Sequence, residues 1–159
     1  MIASTVSPTS PATTDRPVAI RLAACVCVAG TGCVPTMRHF VAQCVQRLGL
    51  PEDLRDSACL VASELVTNAV LHSGSHSVAI LVGVERHHLT VSVRDCGCWC
   101  PRTGARRSSA DDGVSCGRGL DLVRALADRF SIVTGPAGTT AKVSLRLSTP
   151  LPAPQRTCR

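Results

Sequence analysis

Ser63-Glu64-Leu65-Val66-Thr67-Asn68-Ala69 places a carboxylate and a carboxamide four residues apart in an otherwise apolar run. At helical pitch two such residues share one face. The run extends back through Leu54, Ala58 and Val61 and forward to His72, a spacing of threes and fours that predicts one long amphipathic helix. Pro51 suits a first helical position, Glu52 and Asp53 supply the negative charge favoured in a first turn, and Ser73 with Gly74 closes the helix. A polar pair on such a helix reads either as the solvated stripe of a surface element or as part of a site, and the surrounding chain has to decide between them.

Upstream, Val34, Met37, Phe40, Val41, Cys44, Val45 and Leu48 keep helical spacing, with Gly49 as the stop. Val18 to Val28 is rich in Val, Ile and Ala and reads as a first strand, ended by Gly30, Gly32 and Pro35. Residues 1–17 are Ser, Thr, Pro and Ala with few large apolar side chains, and are expected to be a disordered leader. Downstream, Val78, Ile80 and Val82 alternate within His76 to Glu85, and Leu89, Val91 and Val93 alternate within Leu89 to Arg94, joined by Arg86-His87-His88 as a hairpin. From Asp95 to Cys116 periodicity disappears, so residues 96–116 are expected to be a lid. Helical spacing resumes from Arg118 to Phe130, and Ser131 to Thr134 with Thr139 to Leu147 reads as a hairpin around Gly135-Pro136-Ala137-Gly138. Residues 148–159 read as a disordered, Pro-rich tail. The expected architecture is one domain over residues 18–147. It is an α+β two-layer sandwich, with a mixed, largely antiparallel sheet covered on one face by helices.

With 159 residues and 45% apolar composition the chain supports one core. Its net charge of +6 is carried almost wholly by arginine, Lys142 being the one lysine. Guanidinium favours planar contact with carboxylates and phosphates. Aromatic content of 2% leaves no stacking platform, so direct binding of nucleic acid is not expected; an acidic protein or a polyphosphate ligand accounts for the charge equally well. No signal peptide and no run of about 18 apolar residues is evident, so neither membrane insertion nor export is expected and a reduced cytoplasmic setting is. In that setting the ten cysteines read as small apolar residues.

Three pieces carry the chemistry. The Asn68 carbonyl suits a divalent cation that already takes oxygens from phosphate and water, and Glu64, one turn earlier, suits a general base toward a hydroxyl or water. Asp95 ends a strand just before Gly97, where its carboxylate can accept from an exocyclic amine such as that of adenine, or where Asp and Gly simply make a turn. Gly117-Arg118-Gly119-Leu120 opens a helix, where free N–H groups and the dipole favour an anion and glycine admits a phosphate to the backbone; a lone Gly-x-Gly also serves as a plain hinge.

In order, Glu64 to Asn68, Asp95-x-Gly97, Gly117-x-Gly119-Leu120-x-Leu122-Val123 and Gly138-Thr139-Thr140 resemble the four boxes of the gyrase, heat-shock chaperone, histidine kinase and mismatch-repair ATPase superfamily. More closely, Glu-Leu-Val-Thr-Asn-Ala and Gly-Arg-Gly-Leu-x-Leu-Val in a short chain resemble bacterial anti-sigma factor serine/threonine kinases. The resemblance spans Val34 to Leu147 and implies a Bergerat fold that binds ATP and Mg2+ under a mobile lid. It implies Glu64 as catalytic base, Asn68 as magnesium ligand, Asp95 as adenine contact, Gly97 as part of that box, Gly117, Arg118, Gly119 and Leu120 at the phosphate end, and Thr139 or Thr140 near the adenine. It also implies an anti-sigma antagonist protein as substrate, a sigma factor as the sequestered partner, and a homodimer as a common assembly.

One departure stands out: the second box reads Asp95-Cys96-Gly97-Cys98-Trp99, without the second glycine of the usual pattern. That opens an alternative, a catalytically weak module that binds partners in a nucleotide-dependent way. The stretch before the first strand is too short for a phospho-accepting helical hairpin, so a sensor histidine kinase is not expected. Cys96, Cys98, Cys100 and Cys116 raise a zinc or thiol switch as a more remote reading, although structural zinc pairs usually have two intervening residues.

Overall fold

The computed structural model describes residues 21–85, 87–97 and 118–149. The leader, Arg86, most of the lid and the tail from Pro150 lie outside the described residues. The elements are β1 (Arg21–Val28), α1 (Cys33–Arg47), α2 (Glu52–His72), β2 (Ser77–Glu85), β3 (His88–Asp95), α3 (Arg118–Leu126), β4 (Arg129–Gly135) and β5 (Gly138–Arg146).

The strands form one sheet in the order β1-β2-β3-β5-β4, and every neighbouring pair is antiparallel. The mixed character expected from the sequence is therefore absent among the described strands, for a simple reason. Two helices lie between β1 and β2, so the chain returns reversed, and β5 is inserted between β3 and β4, which run the same way without touching.

Alternation decides what faces the helices. Val78, Ile80, Val82 and Val84 of β2, Leu89, Val91 and Val93 of β3, and Ala141, Val143 and Leu145 of β5 are buried. They pack with Met37, Val41 and Val45 of α1, with Ala58, Val61, Ala62, Leu65, Val66 and Ala69 of α2, and with Val123 of α3 in one cluster. Burial of each larger aliphatic side chain contributes about 1.5–3 kcal/mol, so this layer holds α2 across the sheet. Gly74 follows α2 at a φ of 69°, the left-handed conformation that commonly ends a helix, as the sequence predicts.

One boundary differs by several residues. The helical spacing predicts α3 as far as Phe130, yet the helix ends at Leu126, where the Ala127 N–H still reaches the Val123 carbonyl at 3.1 Å. The next amide, of Asp128, donates to the Ser144 carbonyl at 2.9 Å, and Phe130 lies opposite Val143 on β5. Sheet pairing and burial of the ring outweigh local helical spacing here. Among the described residues no helix is long and apolar enough to cross a membrane.

Candidate functional site

The buried face of α2 runs through Ala58, Val61, Ala62, Leu65, Val66 and Ala69. Glu64 and Asn68 lie to one side of it, partly exposed and one turn apart. The first turn of α3 comes up against this side: a methyl group built on Gly119 would overlap Glu64 Oε2. Glycine here leaves room for the Glu64 carboxylate as the side chain stands, and the contact brings two segments separated by more than fifty residues into one place. Leu120 is half-buried beside it, while Val123, one turn on, anchors α3 in the core. Arg118 opens the helix. Gly117 lies outside the described residues, as do Cys98, Trp99, Cys100 and Cys116.

The other end of the site is built on the sheet. Across the helix-facing side, Cys27, Val78, Asp95, Thr139 and Thr134 form one cross-strand row, so Asp95 and Thr139 are direct neighbours on β3 and β5. Both are almost fully buried, at 2% and 1% exposure, in a floor that is otherwise aliphatic. Asp95 Oδ1 accepts the Gly97 N–H at 3.0 Å, and the Thr139 hydroxyl has no hydrogen-bond partner among the described residues. A buried hydroxyl left unsatisfied costs about 1–3 kcal/mol, so the position calls for a polar group from elsewhere.

Thr140 is placed differently. Residues adjacent along a strand point to opposite faces, and Thr140 lies opposite Arg94 and Val133 on the side away from the helices. The structure thus brings Asp95 together with Thr139 and leaves Thr140 on the other face.

Several residues that shape the site were not singled out from the sequence. Ser73 Oγ donates to the Ala69 carbonyl at 2.6 Å and accepts the Ser75 amide at 3.0 Å. Ser75 Oγ in turn donates to the Ser77 carbonyl at 2.7 Å and accepts the Cys96 amide at 3.1 Å. The turn after Asp95 is therefore fastened to the end of α2. Gly97 fits because it lacks a side chain, since a methyl group there would run into the Ser73 carbonyl. Gly138, at a φ of 111°, presses against the Asp95 carbonyl in the same way. The local signal for this stitching is Ser73-Gly74-Ser75 itself, a helix stop whose two hydroxyls are free to bond backbone.

Glu64 and Ser73 are nine positions apart on or beside α2, about 14 Å along its axis. Only an elongated ligand can touch the Asp95–Thr139 floor and the Glu64–Gly119 contact together. An adenine nucleotide fits this donor set: a buried carboxylate and hydroxyl for an amine-bearing base at one end, and a helix start with glycine and an adjacent carboxamide for phosphates and their cation at the other. Among the described residues no group of three or more His, Cys, Asp or Glu side chains is placed to hold a metal ion by itself. The zinc reading rests on lid cysteines, of which only Cys96, an exposed free thiol, is described.

A model of the histidine kinase-like ATPase domain matches residues 28–145. No curated protein matches the chain significantly. Among solved structures, the RsbU and RsbW domains of Rv1364c from Mycobacterium tuberculosis match with a TM-score of 0.63 at 22% identity, over 84% of this chain and 34% of that one. The chain thus spans about a third of that protein's length. The blue-light activated histidine kinase EL346 of Erythrobacter litoralis matches with a TM-score of 0.38 at 18% identity, over 69% of this chain and 40% of that one.

Proposed function

Because the chain belongs to the histidine kinase-like ATPase domain family, a family of nucleotide-binding domains, we propose that it binds ATP with Mg2+ and acts as a protein serine/threonine kinase of the anti-sigma factor type. In this reading it phosphorylates an anti-sigma antagonist protein, and that reaction governs its hold on a sigma factor. The observation that carries the kinase reading is the Glu64 carboxylate standing against Gly119 at the opening of α3. A carboxylate beside a helix N-terminus lies where a terminal phosphate and an incoming hydroxyl would meet.

In the reaction, Glu64 orients the partner's hydroxyl and takes its proton as the oxygen–phosphorus bond forms and the bond to the ADP oxygen breaks. Asn68 would hold Mg2+, which neutralises phosphate charge when bound. Asp95 accepts the adenine amine, and the Thr139 hydroxyl finds its missing partner at the base. The backbone of Gly117, Arg118, Gly119 and Leu120 receives the phosphates, and Gly97 and Gly138 keep the Asp95 turn tight. The fold of the RsbW-containing structure and the close motif resemblance support the anti-sigma assignment.

Titration calorimetry with Mg-ATP tests the nucleotide half of this reading. Binding is expected in the wild type, with at least about a tenfold loss on Asp95→Asn, the order expected for a charge-assisted hydrogen bond worth 1.5–3 kcal/mol. No heat in either protein, at concentrations where a fluorescent ATP analogue also fails to bind, would contradict it.

A second reading is favoured by Trp99, which stands where the family pattern has its second glycine. In it the domain captures its partner in a nucleotide-dependent way with little phosphoryl transfer. A partner complex that tightens with Mg-ATP, without phosphate appearing on either protein, would select it.

A further inference from the structure

We infer that Ser75 is a positioning residue for base recognition: its hydroxyl holds the turn after Asp95 so that the carboxylate selects adenine over guanine. This role rests on the reading of Asp95 as the contact of the base amine, and it gives the aim of that carboxylate to a residue on another segment of the chain.

Pairing between β2 and β3 ends with Val78 opposite Asp95. One residue on, the Cys96 amide donates to Ser75 Oγ at 3.1 Å. A side chain thus takes over from the strand partner at the point where the chain turns away from the sheet. The Ser75 hydroxyl is committed on every side: it donates to the Ser77 carbonyl at 2.7 Å, and it accepts the Cys96 amide and, at 3.4 Å, the Ser77 amide. A serine hydroxyl offers one hydrogen and two lone pairs, so three bonds use all it has and fix its rotation.

Ser75 is itself anchored to α2. Its amide donates to Ser73 Oγ at 3.0 Å, and Ser73 Oγ donates to the Ala69 carbonyl at 2.6 Å in the last turn of the helix. The turn after Asp95 lies directly on this segment, since a methyl group on Gly97 would meet the Ser73 carbonyl and the Ser75 amide. Asp95 Oδ1 accepts the Gly97 amide at 3.0 Å, so two successive amides of one turn are held, one by the carboxylate and the other by the Ser75 hydroxyl. The carboxylate is therefore fixed relative to the helix that carries Glu64 and Asn68.

The placement of this carboxylate decides which base is accepted. Adenine presents an amine that donates to it, whereas guanine presents a carbonyl oxygen at the corresponding position, which a carboxylate repels. The phosphate end of the site, built on α2 and α3, is indifferent to the base. Without the Ser75 hydroxyl the Cys96 amide loses its partner and the turn gains freedom, so the carboxylate no longer meets the amine at hydrogen-bonding distance. Binding of ATP weakens, and binding of GTP, which never had this bond, does not.

The test measures the affinity of the full-length protein for Mg-ATP and for Mg-GTP by titration calorimetry. The wild type should prefer ATP. Ser75→Ala should lower that preference about fivefold, the size of one ordinary hydrogen bond, through weaker ATP binding alone. Ser75→Thr keeps the hydroxyl and should restore the preference. In an Asp95→Ala background Ser75→Ala should have no further effect, because the carboxylate it positions is gone. Ser75→Cys keeps the size of the side chain with a weaker acceptor, and it carries the same expectation as Ser75→Ala if that variant fails to fold. Equal loss of ATP and GTP affinity would make Ser75 a structural residue only and overturn the proposal, as would an unchanged preference or an effect that persists in Asp95→Ala. A wild type that binds the two nucleotides equally, or binds neither, would instead overturn the reading of Asp95 and the proposal with it.

Discussion

The α-carbon of Gly119 stands so close to the Glu64 carboxylate that a single methyl group would collide with Oε2. This contact joins the longest helix to the first turn of α3, and it makes the position of Glu64 depend on the absence of a side chain in another element. The proposed role of Glu64 is thereby tied to the glycine of the third box.

Gly119→Ala should therefore act through Glu64. Relief of the clash moves the carboxylate or tilts α3, and a displacement of about 1 Å at a reacting group costs on the order of a hundredfold in rate. Phosphoryl transfer is expected to fall by that order with little loss of stability, because the atoms that must shift are the free end of the Glu64 side chain. Combining it with Glu64→Ala should lower transfer no further than Glu64→Ala alone, since both changes act through the same carboxylate.

Thr139→Val should have opposite effects on stability and binding. In the nucleotide-free protein it removes a buried hydroxyl that lacks a partner among the described residues and leaves the shape intact, which is expected to raise stability by about 1 kcal/mol. Affinity for ATP should fall, because the base loses a hydrogen bond. Thr140→Val, on the other face of β5, should leave affinity unchanged. Melting curves with and without nucleotide separate the two effects.

The sequence made some of this legible and hid the rest for physical reasons. Helix α2 and the order of the boxes rest on short-range spacing, which is written along the chain, and Glu64, Asn68, Asp95 and Gly119 are candidates because they fall within those boxes. The choice between Thr139 and Thr140 depends on pairing with Asp95 forty-odd residues earlier, so parity within β5 becomes decisive only once the register is known. Ser73 with Gly74 is visible as a helix stop, but the bond that fastens the Asp95 turn to it, from the Cys96 amide to the Ser75 hydroxyl, is long-range. Phe130 continued a helical spacing and nonetheless pairs in a strand, because its partner Val143 is remote in sequence.

Gly138→Ala should be among the most damaging single-methyl changes outside the core. The residue combines a φ of 111° with backbone contact to Asp95 and Cys96, so strain and collision add. A loss of about 2–4 kcal/mol is expected in chemical denaturation, together with weakened ATP binding through the Asp95 turn.

Acid should act at the opposite end of the sheet. The His88 ring, hydrogen-bonded at 2.9 Å, lowers the Asp128 carboxyl from its ordinary value despite partial burial, and Arg146 at 3.1 Å adds to this. A carboxyl lowered in the folded state contributes stability that is full above its unfolded value near 4 and is lost as pH falls through the folded value. Asp128→Asn should be less stable than wild type at neutral pH, and the gap should narrow as the pH falls below about 4. A gap constant from pH 7 to pH 2 would remove Asp128 from this role.

The most direct test is phosphoryl transfer from radiolabelled ATP to the cognate antagonist protein by wild type and by Glu64→Ala, with ATP affinity measured on both. Label should appear on a serine or threonine of the antagonist with the wild type. With Glu64→Ala it should fall by at least about a hundredfold, the lower range for loss of a general base, while ATP affinity changes little. Equal transfer by the two proteins, or tight ATP binding by the wild type with no label on the antagonist, would contradict the assignment.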